Sequence, residues 1–375
     1  MRVYKKLGVG DPVPWFKQKS TSGDNYHFDT VGGRYILMCF FLTAGDAHGK
    51  DMLRILELQR MLFNDDDISF FGVSIDPLDM LENRVIESMP GIRYFWDFDG
   101  LISRLYGAIP QDTVISEGVT GKRFWILLDP ALRVMANIER KQDGQDLHEI
   151  CTLINKLSPI NSYLGFPQQA PVLFIPDVFE HDFCQKLIHL YENDGGEDSG
   201  FMRDINGKTT GMIDYSHKRR SDYSIENELI KHEIQRKFIR RVVPEIMKVH
   251  HFNACRMERY LVGCYNSATN DHFRPHRDNT SKGTAYRKFA VSINLNNDFE
   301  GGELSFPEYG RTSYKMKSGM AVVFSCSLLH TVSPMISGKR YAFLPFLYDD
   351  AAATLREQSN EYLVDVEKHY TQTNN

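Results

Sequence analysis

The hydrophobic pattern of this chain changes character part-way along, and no single layer architecture accommodates both halves. Residues 34–42 (RYILMCFFL) form an unbroken run of strand formers, and 68–75 (ISFFGVSI) form another. Between them, residues 50–63 set Met52, Ile55, Leu56, Leu62 and Phe63 on one helical face. A helix is expected over 101–109, then strands at 123–128 (RFWILL) and 132–138 (LRVMANI) around the turn dipeptide Asp129-Pro130. A helix over 146–157, with Asp146 as its N-cap, closes the series. Buried strands alternating with helices predict a three-layer α/β domain. The pattern over 256–348 is different: short strands separated by turns, at 256–265, 286–295, 302–306, 312–317, 320–325 and 340–348. That predicts a sandwich or barrel.

The stretch between the halves is mixed. Residues 158–170, with Pro159, Gly165 and Pro167, read as a linker. A short strand is expected at 172–175 and an amphipathic helix at 181–193, with Phe183, Leu187, Ile188 and Tyr191 on one face. Residues 194–224 read as a long polar, Gly-rich loop, and 226–249 as a helix kinked or split at Pro244. At 375 residues the chain is too long for one ordinary domain and suits two. The expected organisation is an α/β domain over 1–157, the linker 158–170, a second domain over 171–350 and a polar tail over 351–375.

Composition removes several function classes. With 44 Lys+Arg against 49 Asp+Glu the net charge is -5, the wrong sign for a protein that coats phosphate backbones, so no nucleic-acid partner is expected. No apolar run approaches the ~20 residues that cross a bilayer, and the opening residues lack a signal core. The six cysteines (39, 151, 184, 255, 264 and 326) are scattered without a Cys-x-x-Cys pair, which argues against a disulfide scaffold or zinc ribbon. A soluble protein of a reducing, cytoplasmic compartment is expected.

The chemistry concentrates in two places. Residues 271–279 (DHFRPHRDN) contain His276 and Asp278, which face one side if the segment is extended. His330 follows in 323–334 (VFSCSLLHTVSP), just past an apolar strand. Two neutral imidazoles and one carboxylate suit a non-haem Fe(II) centre with open positions. Arg340 opens the strand RYAFLPFLY, where a fixed cation can clamp a distal carboxylate. Each piece alone is weak, since a His-x-Asp arises often by chance. Their combination is the strong signal.

On these residues, 256–348 resemble the catalytic core of the prolyl 4-hydroxylase branch of the Fe(II)- and 2-oxoglutarate-dependent dioxygenases. The matching pieces are Tyr260-x-x-Gly263, His276-x-Asp278, the run Glu300-Gly-Gly-Glu-Leu304, His330-x-Val332 and Arg340, with a weaker likeness back to Pro171. The resemblance implies a double-stranded β-helix (jelly roll) with flanking helices. It implies that His276, Asp278 and His330 ligate Fe(II) and act in catalysis, that Arg340 binds the C5 carboxylate of 2-oxoglutarate, and that Tyr265 hydrogen-bonds the same cosubstrate. Asn294 occupies a position often filled by Tyr; its amide would replace that hydroxyl, or it is simply a polar strand residue. Gly301 and Gly302 are expected to serve a tight turn. The implied reaction hydroxylates a prolyl residue of a protein or peptide while 2-oxoglutarate becomes succinate, with ascorbate as helper reductant. The iron halogenases of this superfamily lack the carboxylate that Asp278 supplies. A small-molecule substrate is the near alternative, because substrate choice lies in loops that sequence does not decode. A non-catalytic interaction or redox-sensing protein is the distant one, and an intact ligand set with Arg340 speaks against it.

Residues 8–157 resemble the peroxiredoxin branch of the thioredoxin fold, through Gly10-Asp11-x-Val13-Pro14-x-Phe16, the strand RYILMCFFL, Gly72-Val-Ser-x-Asp76 and the strand from Arg123 to Asp129-Pro130. The departure is chemical. The loop 42–50 (LTAGDAHGK), where that family carries its peroxidatic cysteine, has none. Cys39 lies inside an apolar strand and Cys151 on the last helix, neither a setting for a reactive thiolate. This half is expected to present substrate, bind a partner or join two copies as a homodimer. His48 and Asp46 are expected to be solvated loop residues. The basic segments Lys218-Arg219-Arg220 and 231–241 are read as a solvated face, and nothing in the sequence argues for an acidic-substrate groove.

Overall fold

In the computed structural model, residues 3–113, 115, 119–365 and 369–371 are described. The chain divides into two units: Met1–Gln169 together with Pro307–Arg311, and Ala170–Phe306 together with Thr312–Asn375.

The apolar run at 35–42 is buried over its whole length because it forms an inner strand of the first unit's sheet. The strands are β1 (Lys17–Ser20), β2 (Gly23–His27), β3 (Tyr35–Leu42), β4 (Ile68–Ser74), β5 (Ile92–Trp96), β6 (Phe124–Leu128) and β7 (Val134–Glu139), in the order β2-β1-β5-β4-β3-β6-β7. β3 is parallel to β4, and β4 to β5; β6 and β7 join antiparallel. The helices are α1 (Ala47–Leu53), α2 (Ile55–Leu58), α3 (Pro77–Leu81), α4 (Leu101–Tyr106) and α5 (Gln145–Ile154). Alternate residues of β3 serve opposite faces, as a pleated strand requires. Leu37, Cys39 and Phe41 pack with Met52 and Ile150, whereas Ile36, Met38 and Phe40 pack with Ile102 and Tyr106. This is a thioredoxin-like fold.

Several local expectations need correction. The helical face expected over 50–63 breaks into α1, α2 and a 3₁₀ turn at Arg60–Leu62. α5 is capped by Gly144, not Asp146. Asp146 sits inside the first turn, buried, and accepts a hydrogen bond from Trp125 Nε1 at 3.2 Å. Asp46 is no free loop residue: it caps α1 by accepting from Gly49 N at 2.8 Å and pairs with Arg123 at 2.5 Å. His48 is exposed. Burial pushes the Cys39 thiol well above its ordinary pKa, the opposite of what a nucleophile needs.

The second unit starts with β8 (Leu173–Ile175) and α6 (His181–Asp194). The region expected to be one long loop is strand-rich: β9 (Glu197–Asp198), the hairpin β10 (Phe201–Ile205) and β11 (Lys208–Met212), β12 (Lys218–Arg219) and β13 (Ser221–Ser224). The hairpin turns on Asn206-Gly207, both at positive φ, the dipeptide that suits a two-residue hairpin turn. α7 (Glu228–Arg241) and α8 (Val243–His250) follow, divided at Pro244 in the first turn of α8. The remaining strands are β14 (Arg256–Glu258), β15 (Leu261–Asn266), β16 (His272–His276), β17 (Phe289–Asn294), β18 (Glu300–Gly301), β19 (Leu304–Ser305), β20 (Ser313–Tyr314), β21 (Ala321–Ser325), β22 (His330–Val332), β23 (Met335–Ser337), β24 (Lys339–Phe343) and β25 (Phe346–Tyr348).

Two larger antiparallel sheets result, beside the two-stranded pairs β10-β11 and β18-β23. One is ordered β12-β16-β22-β19-β20; the other runs β14-β25-β17-β24-β15-β13-β9, with β21 on β17 and β8 on β21. Alternation sorts the larger sheet. Val262, Cys264, Val291, Ile293, Tyr341 and Phe343 pack into the core with α6 and α7. Their neighbours Tyr265, Ser292, Asn294 and Arg340 therefore point to the other face. Phe324 of that sheet meets Phe306 and His330 at ring distances of 5.0 and 4.7 Å. The arrangement is a jelly roll with helices outside. The tail is not featureless: α9 (Asp350–Gln358), capped by Asp349, packs Ala352 and Ala353 against Tyr286 and Tyr348. Among the described residues, no helix is long and apolar enough to cross a membrane.

Candidate active site

β16 and β22 are antiparallel neighbours whose register sets His276 directly opposite His330. Asp278 lies two residues past His276, and its backbone N–H donates to Cys326 O at 2.9 Å. One ligand atom from each of the three side chains can be chosen so that all lie within 4.8 Å of one another. His276 Nε2 is 3.7 Å from Asp278 Oδ1 and His330 Nε2 is 3.4 Å from Asp278 Oδ2. These gaps are too long for good direct hydrogen bonds. They suit three donors grouped on one face of a shared cation, the arrangement of a 2-His-1-carboxylate site.

The backbone sets the tautomers. His276 Nδ1 lies 2.8 Å from Arg274 O, and His330 Nδ1 lies 3.0 Å from Leu328 O. A carbonyl only accepts, so each Nδ1 must carry the proton and each Nε2 keeps its lone pair for the shared point. Burial, then the neighbouring His330, drives the His276 pKa well below its ordinary value, which keeps the ring neutral. Phe273 stacks on His276 with ring centroids 3.4 Å apart. The intervening Arg277 turns elsewhere and donates to Ser327 O.

Arg340 and Tyr265 are register partners across β24 and β15. Arg340 is 2% exposed, and its guanidinium lies 5.4 Å from the Tyr265 ring centroid. Its Nε donates to Asn294 Oδ1 and its Nη2 to Ser292 Oγ, each at 2.9 Å. Its Nη1 is buried with no hydrogen-bond partner. Burial lowers the pKa of this arginine, Tyr265 opposing and Arg220 reinforcing the effect; no carboxylate of the chain pairs with it among the described residues. A buried cation with one open N–H edge is costly until an anion meets it. The site thus fits a small molecule that presents a carboxylate. Asn294 does not aim a free amide at such a molecule: its Nδ2 donates to Met316 O at 2.8 Å and its Oδ1 holds Arg340. Gly301 and Gly302 both have positive φ, and a Cβ on Gly302 would sit 2.4 Å from Met335 Sδ and 3.3 Å from Arg340 Cδ. Gly302 thus leaves room for the arginine as well as turning the chain.

The largest departure from expectation concerns Lys218 and Arg220. They are 3% and 7% exposed, not a solvated face. Arg220 forms a two-pronged pair with Asp222 at 2.6 and 2.7 Å and reaches Tyr265 Oη at 3.4 Å. Lys218 Nζ donates to Ser199 Oγ at 2.7 Å and Gly200 O at 2.6 Å, and lies 5.1 Å from the centroid of the Phe273 ring. Ser199 Oγ also bonds Asp222 and Arg220. Hydrogen bonds thus link Lys218, Ser199, Asp222, Arg220 and Tyr265, while the apolar Phe273 ring stands between Lys218 and His276 and the Tyr265 ring lies beside Arg340. The basic run itself carried no sequence signal of this burial; in the fold Arg219 is the more exposed of the three. By contrast, the basic residues of α7 do lie at or near the surface, where Lys237 and Arg241 pair with Glu180.

Residues 260–348 match the family model of the 2OG-Fe(II) oxygenase superfamily, a segment that includes all five residues singled out in the sequence. The second unit thus carries an oxygenase domain of that superfamily. Among solved structures, a viral collagen prolyl hydroxylase from Paramecium Bursaria Chlorella virus-1 is 17% identical, covering 48% of this chain and 96% of its own, with a TM-score of 0.36. A prolyl hydroxylase from Trichoplax adhaerens, solved with a hypoxia inducible factor oxygen degradation domain peptide fragment, is 15% identical, covering 58% and 97%, with a TM-score of 0.41. For the other unit, Peroxidoxin BcpB from Mycobacterium tuberculosis is 15% identical, covering 40% and 99%, with a TM-score of 0.34.

Proposed function

We propose that this protein is an Fe(II)- and 2-oxoglutarate-dependent hydroxylase whose iron is held by His276, Asp278 and His330 and whose 2-oxoglutarate is anchored through its C5 carboxylate by Arg340. The proposed substrate is a prolyl residue of a protein or peptide, with ascorbate as helper reductant and the cytoplasm as the setting. The first unit is proposed to present substrate or to join two copies.

The observation that carries the reading is the open Nη1 edge of buried Arg340 in the same unit as a two-histidine, one-carboxylate cluster. When bound, iron, dioxygen and 2-oxoglutarate supply the oxidising power, one oxygen atom ending in succinate and the other in the hydroxylated product as carbon dioxide leaves. The chain supplies geometry. The Arg274 and Leu328 carbonyls orient the two rings, and the Asp278 carboxylate offsets charge at the metal. Ser292 and Asn294 fix Arg340, so the cosubstrate's orientation is set by a rigid cation. Tyr265 Oη accepts from Arg220, which leaves its own proton free to donate to a cosubstrate oxygen. Phe273, Phe306 and Phe324 wall the histidines with apolar rings and exclude water.

The test is an anaerobic titration of the Fe(II)-loaded protein with 2-oxoglutarate, followed by visible absorption. A charge-transfer band should appear, vanish in His276→Ala, and need roughly 10- to 100-fold more cosubstrate in Arg340→Ala, the scale of one charge-assisted hydrogen bond. Iron that binds without producing a band on titration would defeat the proposal.

A further inference from the structure

The β10–β11 hairpin stands apart from the rest of the second unit. Its strands pair with each other and with no strand of either large sheet, and an isolated hairpin is marginal in water. Its position therefore depends on ties to its neighbours. At the root, Lys218 Nζ donates to Gly200 O at 2.6 Å. There the Phe201 ring lies 4.6 Å from the His217 ring, which meets Phe273 at 5.6 Å, and Phe273 covers His276. Farther out, Asp204 accepts from Lys282 N at 3.2 Å and Thr209 Oγ1 accepts from Gly283 N at 2.9 Å. Lys282 and Gly283 belong to the turn that follows Asp278. The hairpin thus runs alongside the segment that carries His276 and Asp278.

A further tie comes from the C-terminal segment. α9 anchors that segment, its Arg356 pairing with Glu258 at 3.0 Å and donating to Tyr348 Oη at 2.7 Å. After a 3₁₀ turn at Ser359–Tyr362 the chain meets the hairpin. Leu363 forms a parallel bridge with Thr209, and Val364 N donates to Thr209 O at 3.2 Å. Lys208 Nζ donates to Glu361 O at 2.6 Å, and the Lys282 ammonium lies 4.8 Å from the Tyr362 ring centroid. Hairpin, turn and tail converge at Gly283, where a Cβ would come within 2.7 Å of Leu363 Cδ2 and 3.0 Å of Thr209 Cβ. The anchor is firm and the hold on the hairpin is light, because Lys208, Glu361 and Val364 are exposed. Contacts of that kind open at low cost. The metal ligands, by contrast, are enclosed: the His276 and Asp278 side chains are 12% and 13% exposed. A peptide chain reaches them only if a neighbouring element moves.

We propose that residues 359–364 are a releasable strap on this hairpin. Closed, the strap holds β10 and β11 against the turn after Asp278 and shields the metal ligands. Released, it lets the hairpin swing away and opens the route by which a substrate reaches them. That the admitted molecule is a substrate rests on the hydroxylase reading above; the coupling of strap, hairpin and metal access does not.

The experiment is hydrogen–deuterium exchange, read by mass spectrometry, on the full chain loaded with Zn(II). Zinc release to excess 4-(2-pyridylazo)resorcinol is measured in parallel. In the wild type, amides of 201–212 should exchange faster than those of β17 in the core. In the double variant Tyr362→Ala, Leu363→Ser, residues 201–212 should exchange roughly 10- to 100-fold faster, the scale of one or two lost hydrogen bonds. Zinc should leave that variant on the order of tenfold faster, the scale of one lost hydrogen bond. Gly283→Val, which wedges the same crossing from the turn, should have both effects. Unchanged exchange in β4 and β17 shows that each variant has folded. Hairpin amides as protected as β17 in the wild type overturn the proposal. So does unchanged hairpin exchange in the variants, or faster hairpin exchange with unchanged zinc release. Titration of the Fe(II)-loaded wild type with 2-oxoglutarate separates the two readings. Absence of a charge-transfer band removes the hydroxylase reading, while exchange and zinc release, measured without 2-oxoglutarate, still decide the strap.

Discussion

Asn294 shows how a single amide can matter without touching the cosubstrate. It joins Arg340 Nε to Met316 O, so the arginine plane is held from the side opposite its open edge. Asn294→Ala should weaken 2-oxoglutarate binding by roughly tenfold, because one hydrogen bond to a buried charged group is lost. Asn294→Asp should weaken it further, since a carboxylate in place would satisfy the cation that the cosubstrate must meet. The 2-oxoglutarate Kd of the two variants checks both statements. Aspartate binding as well as alanine would show that Arg340 is not the anchor. Cys39 and Asp46 make the complementary point in the first unit. The loop that lacks a cysteine has a capping carboxylate tied to Arg123, and the nearby thiol is locked in the core.

At the scale of elements, strand alternation explains why polar residues occur in strands with apolar neighbours. β17 and β24 each send one set of side chains to the α6 and α7 layer and the other towards the metal-cluster side. Ser292, Asn294 and Arg340 are thereby buried as a group, not scattered. In the first unit, Asp65 pins β4 to β5. It accepts from both terminal nitrogens of Arg93 at 2.7 and 2.6 Å and from Ser69 Oγ at 2.7 Å. Burial raises its pKa, but these hydrogen bonds overcome that and bring it down to about 2. A depressed carboxylate stabilises the fold above its ordinary pKa, and the gain fades as pH falls from about 4 towards 2. Asp65→Asn should therefore cost about 1–2 kcal/mol near neutrality after solvent screening. The gap from wild type should begin to narrow below about pH 4 and close only below about pH 2. Denaturant midpoints followed by tryptophan fluorescence measure this, because all three tryptophans (15, 96 and 125) lie in the first unit.

On the scale of the whole molecule, each unit has its own core, and the His276, Asp278 and His330 cluster lies in the second. Metal should stabilise that unit by mass action, by about 2.7 kcal/mol at a hundredfold excess over Kd. That corresponds to roughly 5–10 °C in Tm for a unit of this size. Scanning calorimetry with Zn(II) should show one transition moving and His276→Ala should abolish the shift, while the tryptophan-detected transition stays in place. A metal-dependent shift confined to the tryptophan signal would put the metal in the wrong unit.

Fold class was legible because it is written in periodicity: the change from alternating helix and strand to short strands needs no long-range information. His276, Asp278, His330 and Arg340 stood out as candidates because strand spacing and residue type constrain metal and carboxylate chemistry, and the fold gathers the first three and buries the fourth. The hairpin at 201–212 was in principle legible through Asn206-Gly207, yet its polar strands lack the apolar alternation that announces a strand. What only tertiary structure decided is burial. Lys218-Arg219-Arg220 has the composition of a surface patch, and α9 that of a free tail. Pairing of β12 with β16 carries the first inward beneath the metal ligands, and contact with Tyr286 and Tyr348 orders the second. The physical reason is that periodicity is local, whereas the dielectric around a charge depends on everything packed against it.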